Sequence, residues 1–169
     1  MKPSQRLEAA LQFAAKKHAG QKRIGGEPYI SHPMAVAELL RESGYDEEHQ
    51  IAGLFHDLLE DTDATEDEIA AYGSQQILET VKLLTKKKDY VMAEYIDGIK
   101  ENRMAFAVKG ADRLHNLQSA LCAGEEFKRK YILESLEWYM DFDERIPEAI
   151  RQLEATLETP LIKKAKEEP

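Results

Sequence analysis

Apolar residues recur along this chain at spacings of three and four, with almost no period-two alternation of β-branched residues, so the pattern predicts helices throughout and no strands. Ser4 is placed to cap a first helix running to about His18, with Leu7, Leu11, Ala14 and Ala15 on its inner face. Residues 20–32 are punctuated by glycine and proline and read as a loop. Pro33 suits the first turn of a second helix ending near Gly44. Asp46 caps a third, whose apolar positions Ile51, Leu54, Phe55, Leu58 and Leu59 carry it through Asp61. Thr65 and Glu68 form a capping box for a short fourth helix ending near Gly73. A fifth runs from Ser74 to about Thr85, with Ile77, Leu78, Val81 and Leu84 at helical spacing. After the Lys86-Lys87-Lys88-Asp89 break come helices to about Glu101, over 103–122, around Phe127–Phe142 and around Pro147–Leu157. The expected fold is an all-α bundle of about eight to ten helices in one domain, residues 1–160, with a charged tail at 161–169.

Composition narrows the function classes. The 169 residues are 43% hydrophobic and 33% charged, which suits a globular chain with a sizeable core. No apolar run approaches the roughly 18 residues of a membrane-spanning helix, and the first residues lead into an amphipathic pattern, not a signal sequence. Cys122 is the only cysteine, which rules out an internal disulfide or a thiolate cluster and makes a reducing cytoplasm the natural setting. The net charge of −9 argues against coating nucleic acid. A small anionic substrate stays compatible if basic groups cluster locally.

The most informative stretch is His56-Asp57-Leu58-Leu59-Glu60-Asp61. On one continuous helix, His56 and Glu60 share a face, as do Asp57 and Asp61. Four ionisable groups among leucines are costly unless a cation neutralises them. Imidazole with carboxylate suits a first-row divalent metal. A metal site needs ligands from separate elements, and three elements offer them: His32, His56-Asp57 and Asp112. Pro33 fixes the backbone beside His32 and aims its ring. Two imidazoles and two carboxylates leave positions for water on a six-coordinate ion, an arrangement that makes a nucleophile at neutral pH.

A lone His-Asp pair is common by chance, and other charged groups have plain readings. Of the five histidines, His18 and His115 read as packing or hydrogen-bonding residues, and His49, among Asp46, Glu47 and Glu48, as solvated. Glu66-Asp67-Glu68 favours a helix start. Lys86-Lys87-Lys88 reads as a solvated turn able to help an anion, and Glu125 and Glu126 as surface.

Four blocks in order lift the pattern above chance: His18-Ala-Gly-Gln-Lys-Arg23, Gly26-Glu-Pro-Tyr-Ile-Ser-His-Pro33, Phe55-His-Asp-Leu-Leu-Glu-Asp-Thr62 and Lys109-Gly-Ala-Asp-Arg-Leu-His-Asn116. Together they resemble the HD-domain metal-dependent phosphohydrolases. More specifically, they resemble the hydrolase domain of the RelA/SpoT homologue family, in its small stand-alone form. The resemblance implies an HD-domain helical bundle that removes the 3′-pyrophosphate from guanosine alarmones such as ppGpp. It implies one Mn2+ held by His32, His56, Asp57 and Asp112, a catalytic pair Glu60 and Asp61, and substrate contacts from Arg23, Asn116 and Ser119.

Glu60 is then placed to accept a water proton, with the metal and Arg23 offsetting phosphoryl charge. Lys22, Lys109 and Arg113 divide evenly between a phosphate-facing and a structural reading. Ile24 and Gly25 stand where the family has a lysine and a small polar residue, and Lys-Leu-Leu-Thr-Lys replaces its more usual Gly-Val-Thr-Lys. The C-terminal region carries no assignable motif, and Tyr131, Trp138 and Tyr139 read there as core aromatics. Two alternatives stay open: a phosphohydrolase of another nucleotide, such as an adenosine alarmone or nucleoside phosphate, and a non-enzymatic nucleotide-binding module.

Overall fold

A computed structural model describes residues 4–161, which form ten α-helices and one short 3-10 turn, with no strand among the described residues. The helices are α1 (Gln5–Lys17), α2 (Ser31–Glu42), α3 (Glu47–Phe55), α4 (Leu58–Asp61), α5 (Glu66–Tyr72), α6 (Gln75–Leu84), α7 (Met92–Lys100), α8 (Arg103–Ser119), α9 (Glu125–Trp138) and α10 (Ile146–Glu154). None is long and apolar enough to cross a membrane.

The starts follow from local chemistry. Side chains of Ser4, Asp46, Thr65, Ser74 and Asn102 each accept a backbone N–H two or three residues into the helix that follows, worth about 1 kcal/mol apiece. Thr65 and Glu68 complete the reciprocal capping box. Helix α2 ends in a Schellman motif: Tyr45 N bonds Leu40 O and Gly44 N bonds Arg41 O, with Gly44 at φ +81°.

The centre of the bundle is α3, where Ile51 to Phe55 are all buried against α1, α2, α6 and α8. Helix α8 runs past α2, α3, α6, α7 and α10, and its buried residues include the charged Asp112 and Arg113. Gly110 makes the close approach of α8 to the turn after α9 possible, because a Cβ there would stand 2.4 Å from the Phe142 carbonyl oxygen. The sites of His32, His56 and Asp112 are therefore set by the best-packed helices of the molecule.

Several boundaries differ from the sequence pattern. Helix α2 begins at Ser31, so His32 lies in its first turn beside Pro33 and not in the loop before it. The expected third helix is broken: α3 stops at Phe55, His56 and Asp57 form a turn, and α4 follows. His56 Nδ1 sits 2.7 Å from Gly53 O, the carbonyl that the Asp57 amide would use if the helix ran on. Helix α8 tightens into a 3-10 turn at Ala120–Cys122. Helix α9 starts at Glu125 and ends at Trp138, where Tyr139 turns its ring into the core. On the inner face of α1, Ala10 and Phe13 join Ala14 as buried residues, with Leu7 and Leu11 packed at its edge. Glu125 accepts the amides of Glu158 and Thr159, tying down the segment after α10. Of the expected tail at 161–169, only Leu161 is described, packed on the core; the rest lies outside the described residues.

Candidate active site

His32, His56, Asp57 and Asp112 converge at the floor of one cleft of about 650 Å3, within the usual range for a small-molecule site. Ligating atoms of His32, His56 and Asp57 lie within 4.8 Å of one another. Asp112 joins them through Oδ1, which stands 3.1 Å from His32 Nε2 and 3.6 Å from His56 Nε2. Asp57 Oδ2 lies 3.0 Å from His56 Nε2 and 3.8 Å from His32 Nε2. Both imidazoles are almost wholly buried.

Each of these side chains is oriented by another contact. His56 Nδ1 is held by Gly53 O, which leaves Nε2 facing the carboxylates. Tyr29 donates its hydroxyl to Asp57 Oδ2 at 2.6 Å. Lys109 Nζ donates to Asp112 Oδ2 at 2.8 Å, and Asn116 Nδ2 to Oδ1 at 2.7 Å. His32 Nδ1 lies 2.7 Å from His115 Nδ1. Such outer partners fix ring tautomer and carboxylate direction in metal sites.

The electrostatics call for a cation. Burial opposes ionisation of Asp112, but Lys109, His32 and His56 outweigh it and hold the carboxyl well below its ordinary range. Burial also opposes ionisation of Asp57, where His56 overcomes it and keeps the group low. Burial pushes the His56 imidazole down, yet Asp57 and Asp112 carry it well above its ordinary value. Without a metal, the Lys109 ammonium and a proton drawn to His56 are the charges that offset the two carboxylates. The geometry is poor for that proton: His56 Nε2 is buried and makes no proper hydrogen bond, although Asp57 Oδ2 is 3.0 Å away. A buried, orphaned Nε2 among two carboxylates and a second imidazole is a donor set fitted to a divalent metal ion.

The acidic pair divides. Glu60 lines the cleft, and its Oε2 accepts the Lys86 amide at 3.0 Å. His56 and Asp57 keep right-handed helical dihedrals across the break between α3 and α4, and His56 and Glu60 both line the cleft. Asp61 stands beside Tyr29, 3.5 Å from its hydroxyl, and is not among the cleft residues. One face of Asp61 meets solvent; burial of the other, with Asp57 and Glu60 nearby, lifts its carboxyl above the ordinary value.

Arg23, Asn116 and Ser119 meet on one wall. Arg23 Nη2 donates to Asn116 Oδ1 at 3.1 Å and to Ser119 Oγ at 2.8 Å, while Ser119 Oγ donates to the His115 carbonyl. The Arg23 loop is a tight turn, with Arg23 N on Glu27 O and Gly26 N on Arg23 O. Lys109 and Arg113 belong to the framework: Lys109 is bound to Asp112, and Arg113 pairs with Glu134 at 2.7 Å and stacks 4.1 Å from the Tyr139 ring. In all, six basic and five acidic side chains line the cleft, a local positive excess in a chain of net charge −9.

Other residues enter the cleft without a sequence signal. Phe127 and Tyr131 stack at 4.6 Å and line it, whereas Tyr139 is buried core. Tyr29 lay inside a motif block but had no assigned role there. Lys86 lines the cleft with its ammonium over Tyr90 and Tyr95, so it is more than a solvated turn. His49, expected to be solvated, is half-buried against Tyr45 and bonded to Asp46 at 2.6 Å. His18 bonds Gln21 and packs on Tyr29.

This fold and floor define a class. The family model described as HD domain matches residues 10–147, and the chain belongs to that family. Its relatives are more particular. A guanosine-3′,5′-bis(diphosphate) 3′-pyrophosphohydrolase of Aquifex aeolicus is 36% identical over 151 residues, 85% of this chain and 22% of that protein. A Brucella ovis protein named GTP pyrophosphokinase rsh is 35% identical over 144 residues, 79% of this chain and 19% of that protein. The chain thus spans about a fifth of the length of these curated relatives. A solved structure described as a metazoan ortholog of SpoT that hydrolyzes ppGpp and plays a role in starvation responses shares the architecture. Its TM-score is 0.75 at 25% identity, covering 90% of this chain and 97% of that one.

Proposed function

We propose that this domain, taken as residues 1–160, is a metal-dependent pyrophosphohydrolase that removes the 3′-pyrophosphate from guanosine 3′-diphosphate alarmones such as ppGpp. One observation carries the reading: two imidazole Nε2 atoms and two carboxylates converge on the floor of a cleft also lined by Lys22, Arg23, Lys86 and Lys130. The relatives' names point two ways, to hydrolysis and to pyrophosphate transfer. The solved relative of nearly the same extent is described as hydrolysing ppGpp, which favours hydrolysis.

His32, His56, Asp57 and Asp112 are the residues that would hold one divalent ion, Mn2+ in this reading, whose Lewis acidity would bring the pKa of a water toward neutrality. Glu60, held by the Lys86 amide, takes the proton of the attacking water. Asp61, beside Tyr29 and outside the cleft lining, is the second acid of the pair, its lifted carboxyl making it the alternative proton acceptor. The water oxygen bonds to the phosphorus on the 3′ oxygen, the P–O3′ bond breaks, pyrophosphate leaves and the 3′ oxygen ends as a hydroxyl. Arg23, Asn116 and Ser119 exchange their mutual bonds for bonds to the nucleotide. The Phe127–Tyr131 pair offers the base an apolar wall. The partner in this reading is a small nucleotide in the cytoplasm, not nucleic acid or a membrane.

A second reading, another phosphorylated nucleotide, is favoured by Ile24, which is 71% exposed yet lines the cleft where a cation would meet phosphate. A product assay with Mn2+ against 3′- and 5′-phosphorylated guanosine and adenosine nucleotides decides between them. The expected products from ppGpp are GDP and pyrophosphate. Release from 5′-phosphorylated substrates alone overturns the 3′-pyrophosphate reading, and no release from any nucleotide overturns the hydrolase reading.

A further inference from the structure

One contact at the floor has an unusual chemistry. His32 Nδ1 and His115 Nδ1 lie 2.7 Å apart, with the rings stacked at 5.0 Å and 29°. Two ring nitrogens that close share one proton, because two N–H groups or two bare lone pairs would repel. Which ring carries it follows from the other side of His32. Its Nε2 faces Asp112 Oδ1 at 3.1 Å and Asp57 Oδ2 at 3.8 Å, the direction of the cation site. A nitrogen that gives its lone pair to a cation bears no proton, so the proton of His32 sits on Nδ1. His115 Nδ1 is then the acceptor, and the His115 proton is on Nε2.

We propose that His115 is a positioning residue that holds His32 in its metal-binding tautomer and ring orientation. It occupies the place where a carboxylate or backbone carbonyl usually stands, as Gly53 O does for His56. The inference rests on the divalent-metal reading of the floor. His115 lies three residues after Asp112 on α8, whereas His32 is on α2. One helix therefore supplies one donor directly and aims another across the interface. The His115 backbone carbonyl is in turn bound by Ser119 Oγ, which also receives Arg23.

The test compares Mn2+ affinity, by calorimetry and by equilibrium dialysis with metal analysis, for the full chain and the variants His115→Phe and His115→Asn. Phenylalanine keeps the ring and removes the acceptor; the asparagine Oδ1 takes the place of Nδ1. His115→Phe should bind Mn2+ about 10–100-fold more weakly, the range for losing such an outer partner. His115→Asn should bind close to wild type. The metal-free melting temperature should fall modestly in His115→Phe, where the buried His32 N–H loses its acceptor, and the rise on adding Mn2+ should shrink in the phenylalanine variant alone. His115→Ala gives the same reading if the phenylalanine variant does not fold. Equal affinity in wild type and His115→Phe, or an asparagine variant as weak as the phenylalanine one, overturns the assignment while the metal reading stands. A wild-type chain that binds no Mn2+ overturns both.

Discussion

On the floor of the cleft, His32, His56 and Asp112 are almost wholly buried, and each is fixed by a second contact on α2, α3 or α8. At the rim, Ile24 and Lys130 face solvent from a tight loop and from the outer side of α9. Arg23 there satisfies itself on Asn116 and Ser119, partners that a ligand can replace. The floor couples its geometry to the core, so a change there is felt as lost fold as well as lost chemistry. The rim holds its groups by bonds that solvent or substrate can substitute, so it varies at little cost to the fold. Chemistry and recognition are therefore separable by mutation.

Asp112→Ala should produce the largest effect. It removes one donor and leaves the buried Lys109 ammonium without its carboxylate partner. Breaking such a buried pair costs about 3–5 kcal/mol. Metal content of the purified variant should fall well below one ion per chain, with a clear drop in melting temperature. Full metal retention would place Asp112 outside the site. Glu60→Gln, at an exposed residue of the cleft lining, separates chemistry from binding. It should reduce turnover by about 10²-fold, a typical loss for a general base, with metal content unchanged. Wild-type turnover would pass the role to Asp61.

The floor also predicts how stability follows pH in the metal-free protein. Burial, with His32 and Arg23 adding to it, lowers His115 from 6.5 to about 4, and burial lowers His32 as well. The unfolded chain takes those protons first as pH falls, so stability is lost between about 6.5 and about 4. His56 shifts the other way, raised by Asp57 and Asp112 against burial. Its contribution is complete below 6.5 and is lost as pH rises through its folded value. The melting temperature should therefore peak near neutrality and fall on both sides. Mn2+ replaces the His56 proton and should remove the alkaline decline. A metal-free melting temperature that stays level down to pH 4 would break this account of the floor.

How much of this was legible in the sequence depended on range. Helix starts at Ser4, Asp46, Thr65 and Ser74 were readable because a cap is satisfied within three residues. The break at His56-Asp57 was not, because the apolar spacing continues through it and only the His56 side chain on Gly53 O marks it. The floor residues stood out as rare ionisable types in apolar surroundings. Tyr29 did not, and the sequence took Lys109 only as far as a phosphate-facing or structural lysine and His115 as a packing or hydrogen-bonding histidine. Each gains its place only from a partner 3 to 83 positions away, and a tyrosine or lysine alone has many plain uses. The Phe127–Tyr131 wall was hidden for the same reason: its helical spacing is shared with core aromatics such as Tyr139.

Rim changes should be gentler and should sort substrates. Arg23→Ala frees Asn116 and Ser119 and removes the guanidinium that can stack on a base and face phosphate. KM for a 3′-pyrophosphorylated purine nucleotide should rise sharply, with a smaller change for simple phosphoesters and none in metal content. An equal loss on both substrate types would move Arg23 from recognition to the fold.

The smallest change is also the most discriminating. Ile24 is exposed, lines the cleft and follows Arg23 in the same turn, so a longer charged side chain fits there without repacking the core. Ile24→Lys should leave melting temperature and metal content unchanged, because surface substitutions of this kind stay within about 0.5 kcal/mol. It adds a point charge at the mouth, where a polyphosphate would pass and a monophosphoester would not reach. KM for the more highly phosphorylated nucleotide should fall severalfold with kcat constant, and the gain should shrink as salt screens the added charge. Steady-state kinetics at two ionic strengths would show it. A fall in kcat instead would mean that the rim and the floor are coupled, and the separation of chemistry from recognition would fail at its weakest contact.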